Sequence, residues 1–128
     1  MTNPVPGSPV RRIIADISMA DPAADRGFWT DLLGLDTPMD QGWVVNHSAT
    51  GVAQLPQVQL LTHDRTAPED PALSVAVEPD EHEPLYRRMI DSGLEIVYPM
   101  TTEPWGVRRF FVRTPGGVVV NILEHHDA

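Results

Sequence analysis

The chain has 128 residues, of which 41% are hydrophobic and 21% charged, a length and composition that suit one globular domain with its own apolar core. Acidic residues outnumber basic ones 18 to 9, and the net charge of −9 disfavours nucleic acid, since the arginine pairs are scattered along the chain. Cysteine and lysine are both absent, which excludes disulfides, thiolate chemistry and Schiff-base catalysis.

No apolar run is long enough to cross a bilayer, and the proline-rich start MTNPVPGSP lacks the apolar centre of a signal peptide. We therefore expect a cytoplasmic protein with no membrane partner.

The first half of the chain predicts a strand, a helix and three further strands. Residues 1–9 read as a flexible arm, and residues 10–63 form a first module. Alternating apolar residues predict a strand over 10–19, and Asp21-Pro22 predicts the start of a helix that ends at Gly34. The helical spacing predicts that four apolar side chains of this helix point inward: Phe28, Trp29, Leu32 and Leu33. Short strands are expected over 35–39, 43–48 and 57–63.

The second half repeats this order. Residues 64–71 are polar and contain proline, which indicates a linker, and residues 72–126 form a second module. It has a strand over 72–77, a helix over 80–92 with Leu85, Met89 and Ile90 inward, and strands over 94–98, 108–113 and 118–124. A Gly-Leu pair follows the helix in both halves, which indicates an internal duplication. The predicted fold class is α+β: two tandem βαβββ modules forming a U-shaped mixed-sheet trough, with helices on the outer faces.

Two segments, Phe28–Leu35 (FWTDLLGL) and Phe111–Gly117 (FVRTPGG), resemble signatures of the vicinal oxygen chelate superfamily. This superfamily includes glyoxalase I, extradiol dioxygenases and bleomycin resistance proteins, and the resemblance covers residues 10–126. It implies the fold more strongly than the function, because the same fold hosts several reactions and some proteins that only bind.

The resemblance also implies where a metal would be held. In the metal-dependent members, one ligand lies on the first strand and one on the last strand of each module, and those positions are here Ile14, Gln59, Ala72 and Asn121. Two of these side chains have no donor atom and two are neutral amides, so we expect no shared metal site and no cofactor. Of the histidines, His82 is expected to be solvated at the start of the second helix, and the His125-His126 pair is expected to be solvated at the chain end.

Strand alternation and the resemblance together predict a ligand-binding set: Trp43, His47, Gln59, Trp105, Arg109, Phe111 and Asn121. The loop Thr102–Phe111 resembles the Pro-Trp-Gly loop of bleomycin resistance proteins, in which an aromatic residue stacks on planar ligands. Trp105 could do the same or could simply fill one end of the core. Trp43 and His47 are placed on the trough face on the assumption that no bulge reverses the strand.

These features predict a metal-free small-molecule binding protein that sequesters or carries an aromatic or polycyclic compound, for example an antibiotic, and that is not an enzyme. The alternative is an enzyme of the same superfamily, of lyase, isomerase or dioxygenase-like type, using acid–base catalysis or a non-standard metal site. Its candidate acid–base residues are Asp16, His47 and His63. A homodimer is expected under either interpretation.

Overall fold

The computed structural model describes residues 8–49 and 57–125. Most of the predicted N-terminal arm and His126 lie outside the described residues. The chain divides into two compact units. The first unit is Ile14–Ala72, and the second unit combines the residues up to Ile13 with those from Leu73 onward.

The described part of the chain contains eight strands and one regular α-helix. In chain order they are β1 (Val10–Ser18), a 3₁₀ turn (Pro22–Asp25), a π-helical turn (Phe28–Leu32), β2 (Asp36–Asp40), β3 (Val44–Ser48), β4 (Gln57–Leu61), β5 (Leu73–Val77), α1 (Pro79–Asp91), β6 (Glu95–Glu103), β7 (Val107–Arg113) and β8 (Val119–His125). None of the described helices is long and apolar enough to cross a membrane.

Both units build their sheet in the same way. In the first unit the strand order is β2-β3-β4-β1, with β1 parallel to β4 and the other neighbours antiparallel. In the second unit the order is β6-β7-β8-β5, with β5 parallel to β8 and the other neighbours antiparallel. The α+β class and the βαβββ order of each half are therefore confirmed.

The helical segment of the first unit differs from the expected α-helix. It begins as predicted, with the Asp21 carboxylate accepting a hydrogen bond from the Ala23 N–H at 3.1 Å, and it ends at Gly34, whose φ of 75° favours glycine. Between these ends the backbone widens into a π turn, in which the Leu33 N–H donates to the Phe28 carbonyl.

This wider turn changes which side chains face the sheet. Phe28 and Leu32 are 51% and 77% exposed, and Leu33 is also exposed, so the predicted inward stripe is wrong for these three residues. An α-helical period of 3.6 residues does not describe a π turn, where the hydrogen bonds span five residues. Only Trp29 keeps its predicted inward position, stacked on His47 with ring centroids 6.3 Å apart.

The core of the second unit lies between α1 and one face of its sheet. Leu85 and Met89 contact this core as predicted, whereas Ile90 is 46% exposed and its inward assignment is wrong. Tyr86 packs there instead, on Phe110, and its hydroxyl accepts a hydrogen bond from the Met100 N–H at 3.2 Å. The buried sheet residues of this core are Val75, Val77, Phe110, Val112, Val120 and Ile122.

His82 lies beneath α1 rather than in solvent, so the expectation of a solvated histidine is wrong. Its side chain is fully buried; Nε2 is 2.9 Å from the Ile122 carbonyl oxygen, and Nδ1 is 2.9 Å from a carboxylate oxygen of Glu124. The same carboxylate oxygen lies 3.3 Å from the Arg108 guanidinium. The Nε2 hydrogen bond and the close approach of Nδ1 to Glu124 connect the first turn of α1 to β8, and helical spacing alone could not indicate these contacts.

We expect the His82→Leu substitution to lower the free energy of unfolding by about 3 kcal/mol, because it leaves the buried Glu124 carboxylate and the Ile122 carbonyl without this partner. Urea denaturation measures the loss. The control is Arg87→Ala, which breaks the exposed Arg87–Glu83 pair and should leave the midpoint unchanged. An unchanged midpoint for His82→Leu would show that the histidine does not anchor the helix.

Candidate functional site

A ladder of polar side chains crosses one face of the first unit's sheet. The parallel register places Asp16 beside Gln59, and the antiparallel register places Asn46 on the other side of Gln59. The Gln59 amide donates to Asp16 Oδ1 at 2.9 Å, and its carbonyl oxygen accepts from Asn46 Nδ2 at 3.4 Å. Asn46 Oδ1 in turn accepts from the Ser48 hydroxyl at 3.0 Å. We call this the Gln59 face.

The assignment of Trp43 and His47 to the Gln59 face is wrong. His47 is in register with Val58, not Gln59, and neighbouring residues along a strand point to opposite faces. Trp43 precedes β3 and is half-buried there, with its carbonyl accepting from the Thr62 N–H at 2.9 Å. Alternation along β3 was predicted correctly. Which of its two faces lies beside Gln59 depends on the register between β3 and β4, and the sequence of β3 alone does not determine that register.

His47 is fully buried on the opposite face. Its Nδ1 lies 3.0 Å from the Thr37 hydroxyl, and its ring stacks on Trp29. Burial lowers the pKa of His47, and the positive charge of Arg26 lowers it further. The imidazole is therefore neutral at pH 7.

His63 is exposed and belongs to a third, separate environment. Its Nδ1 is 2.9 Å from Asp70, whose other carboxylate oxygen accepts from the Asp64 N–H at 2.6 Å. Burial alone would raise the pKa of Asp70, but the hydrogen bonds from Asp64 and His63 outweigh it and lower that pKa. The three acid–base candidates Asp16, His47 and His63 thus hydrogen-bond to Gln59, Thr37 and Asp70 respectively, and the contacts described here bring no two of them together.

In the second unit, four of the predicted ligand-binding residues do share one face. Asn121 is in register with Phe111 on β7 and with Ser74 on β5, and its amide donates to the Ser74 hydroxyl at 3.1 Å. Arg109, two residues before Phe111, lies on the same side of β7. Trp105 packs onto this side against Ala76, Val107 and Leu123. We call this the Asn121 face.

Three aromatic rings enclose the Arg109 guanidinium on this face. Its central carbon lies 4.8 Å from the centroid of Phe111, 5.1 Å from Trp105 and 5.5 Å from Tyr98, all within cation–π distance. Arg109 Nε donates to Glu103 at 2.8 Å, and the Tyr98 hydroxyl donates to the same carboxylate oxygen at 3.1 Å. Arg109 and Glu103 are both buried, so the charge of Arg109 is neutralised at short range.

Tyr98 and Glu103 were missed by the sequence reasoning. The β6 strand shifts register against β7 on both sides of Tyr98, so simple alternation does not predict which of its side chains meet Arg109. The available signal was the predicted inward position of Arg109, since a buried charge requires a carboxylate partner.

The family model for the glyoxalase/bleomycin resistance protein/dioxygenase superfamily matches residues 14–122 of the chain. The chain belongs to this superfamily. A search of curated proteins finds no match.

Solved structures with the same fold are distant in sequence. A glyoxalase/bleomycin resistance protein/dioxygenase superfamily member from Vibrio splendidus 12B01 is 19% identical with a TM-score of 0.61, over 88% of this chain and 97% of that one. An extradiol ring-cleaving dioxygenase from B. fuscum is 18% identical with a TM-score of 0.67, over 97% of this chain and 35% of that one. An Mn(II)-bound glyoxalase from Novosphingobium aromaticivorans is 18% identical with a TM-score of 0.62, over 90% and 38%. This chain thus spans about a third of the last two, and likeness at this identity shows the fold alone.

The superfamily's metal-ligand positions do not suit a divalent ion in this chain. Ile14 and Ala72 offer no donor atom, which leaves only the neutral amide oxygens of Gln59 and Asn121, and the Gln59 oxygen already accepts from Asn46. Within residues 8–49 and 57–125, no cluster of three or more His, Asp or Glu side chains could hold a metal ion. The donor set therefore does not fit the metal that this fold carries in the Mn(II)-bound glyoxalase.

The lowered pKa of His47 predicts a stability change near pH 6. An unfolded histidine titrates near 6.5, so below that pH the unfolded chain binds more protons than the folded one, and the free energy of unfolding falls as the pH decreases. Urea denaturation between pH 7.5 and 5 should show this slope, and His47→Gln should reduce it. If the His47→Gln variant shows the same slope as the wild-type protein, the pH dependence of stability does not come from His47.

Proposed function

We propose that this superfamily member binds a planar aromatic small molecule on the Asn121 face, without a metal ion. The observation that carries the proposal is Asn121 Oδ1, which is buried and meets no hydrogen-bond donor among the described residues. Asn121 itself is only 5% exposed. A buried acceptor without a donor costs about 1–3 kcal/mol, and a ligand that supplies the donor recovers that cost.

The side chains around Asn121 support an aromatic ligand. Phe111 is in register with Asn121, and Tyr98 meets Phe111 edge to face at 5.5 Å between ring centroids. The first strand of the unit contributes only small residues to this face, Ser74 and Ala76. Aromatic walls next to small residues and one convergent polar group have the composition of a small-molecule site.

Trp105 joins this wall without being deeply buried. One side of the indole covers Arg109, and its half-buried position leaves part of the side chain exposed for contact with a ligand. Stacking on a planar ligand would add about 0.5–1.5 kcal/mol to the free energy of burial. Sequestration of the ligand, as opposed to its chemical conversion, is part of the proposal, because the acid–base candidates Asp16, His47 and His63 all belong to the first unit and not to the unit that carries the Asn121 face.

A thermal-shift screen of planar aromatic compounds that carry an N–H or O–H group, starting from 2-naphthamide, tests the proposal. Compounds that bind only the native state should raise the melting temperature with concentration and quench tryptophan fluorescence. For each such compound we expect Trp105→Ala to weaken binding about tenfold, from the combined loss of stacking and burial.

Trp105→Phe is the matched control, because it keeps an aromatic ring over Arg109 and should retain most of the affinity. A screen in which no compound shifts the melting temperature would refute the proposed function. So would a folded Trp105→Ala variant with unchanged affinity, which would make Trp105 a purely structural residue.

We further expect the purified protein to carry far less than one divalent ion per chain, because the donor set does not fit one. Elemental analysis after purification without chelators measures this, and added Mn²⁺ or Zn²⁺ should not raise the melting temperature. A stoichiometric ion whose removal by a chelator lowers the melting temperature would contradict the metal-free site. The expected homodimer and the cytoplasmic location stay predictions from the sequence.

A further inference from the structure

We infer that the ligand of the Asn121 face is a neutral or cationic hydrogen-bond donor, and that aromatic anions are excluded. This inference rests on the proposed function and specifies the chemical class that the site accepts. The supporting observations are the charges of the second unit and Asn121 Oδ1, a buried atom with no hydrogen-bond partner among the described residues.

The arginines on this face are already paired. Arg109 donates to Glu103 at 2.8 Å, and both side chains are at most 4% exposed. Three aromatic rings cover the same guanidinium, so it is enclosed by the protein itself. Arg113, four residues further along β7, lies 3.0 Å from the Glu95 carboxylate.

A ligand carboxylate would therefore approach this face without finding an uncompensated cation. It would lie near the buried Glu103 carboxylate, in a chain whose net charge is −9. Burying an anion without a paired cation is costly, and a nearby like charge adds to the cost. The presence of two arginines in the sequence would suggest the opposite preference, but their carboxylate partners cancel it.

The polar contact that remains is an acceptor. The Asn121 amide nitrogen is used in the hydrogen bond to Ser74, and Oδ1 meets no donor within residues 8–49 and 57–125. An amide N–H, a hydroxyl or an amidinium can donate to this oxygen, whereas a carboxylate offers only further acceptors. Charge and hydrogen-bond direction thus select the same class of ligand.

Three probes with one ring system separate charge from shape: 2-naphthamide is neutral, 2-naphthamidine is cationic and 2-naphthoate is anionic. Dissociation constants for the wild-type protein follow from tryptophan fluorescence at two salt concentrations. We expect 2-naphthoate to bind at least about tenfold more weakly than the other two probes. Equal or tighter binding of 2-naphthoate would overturn the inference while leaving the proposed aromatic site intact. If none of the three binds, the proposed function fails first.

Two substitutions at Asn121 test the direction of the hydrogen bond. Asn121→Asp keeps the shape and the acceptor and adds a charge, so it should tighten 2-naphthamidine about tenfold by a charge-assisted bond. Asn121→Leu removes the acceptor and should weaken 2-naphthamide about tenfold. Melting temperatures establish that each variant is folded, and Glu95→Gln at the exposed ion pair serves as a charge control that should leave 2-naphthamide binding unchanged. If Asn121→Asp weakens 2-naphthamidine in a folded protein, the ligand does not donate to this residue and the inference is wrong.

Discussion

The parallel pairing between the first and last strand of each module determines where the functional side chains lie. In the first unit it sets Asp16 beside Gln59, and in the second it sets Ser74 beside Asn121. In both cases the amide of the last strand donates to the polar residue of the first, at 2.9 and 3.1 Å. A shift of one residue in either register would turn the amide to the opposite face of the sheet and remove this contact. The pairing thus places a hydrogen-bonded amide on the face of each sheet that could contact a ligand.

The charge distribution on the Asn121 face depends on a second constraint: the buried Arg109 guanidinium requires a negatively charged partner. An arginine that is 4% exposed is tolerated only with a partner, and Glu103 supplies it from the end of β6. The rings of Tyr98, Trp105 and Phe111 complete the enclosure. The aromatic rings predicted to contact a ligand therefore also enclose the protein's own cation, and this double use supports the proposed exclusion of anions from the face.

Much of the architecture was available from sequence periodicity. The alternation of β1 and β5, the Asp21 cap and the glycines that end both helical segments follow from local rules that act over a few residues. The faces of β3 and β6 were not predictable, because they depend on pairing with another strand and, in β6, on two register shifts. The buried position of His82 depends on a carboxylate on β8, far away in the sequence. Of the candidate site, Trp105, Arg109, Phe111 and Asn121 lie on one face of the second unit's sheet, and their role in binding stays a prediction, whereas His47 was assigned to the wrong face.

The duplicated halves differ at the residue on which the proposed binding depends. In the first unit Gln59 uses both ends of its amide, donating to Asp16 and accepting from Asn46. In the second unit the residue in register with Asn121 on β7 is Phe111, which cannot donate, so Oδ1 accepts no hydrogen bond from the part of the chain that the structure describes. The first unit has Asn46 at this position of the strand pair, whereas the second unit has Phe111. Because the two sheets share their topology, this difference comes from side chains alone, and it favours a ligand contact in the second unit over one in the first.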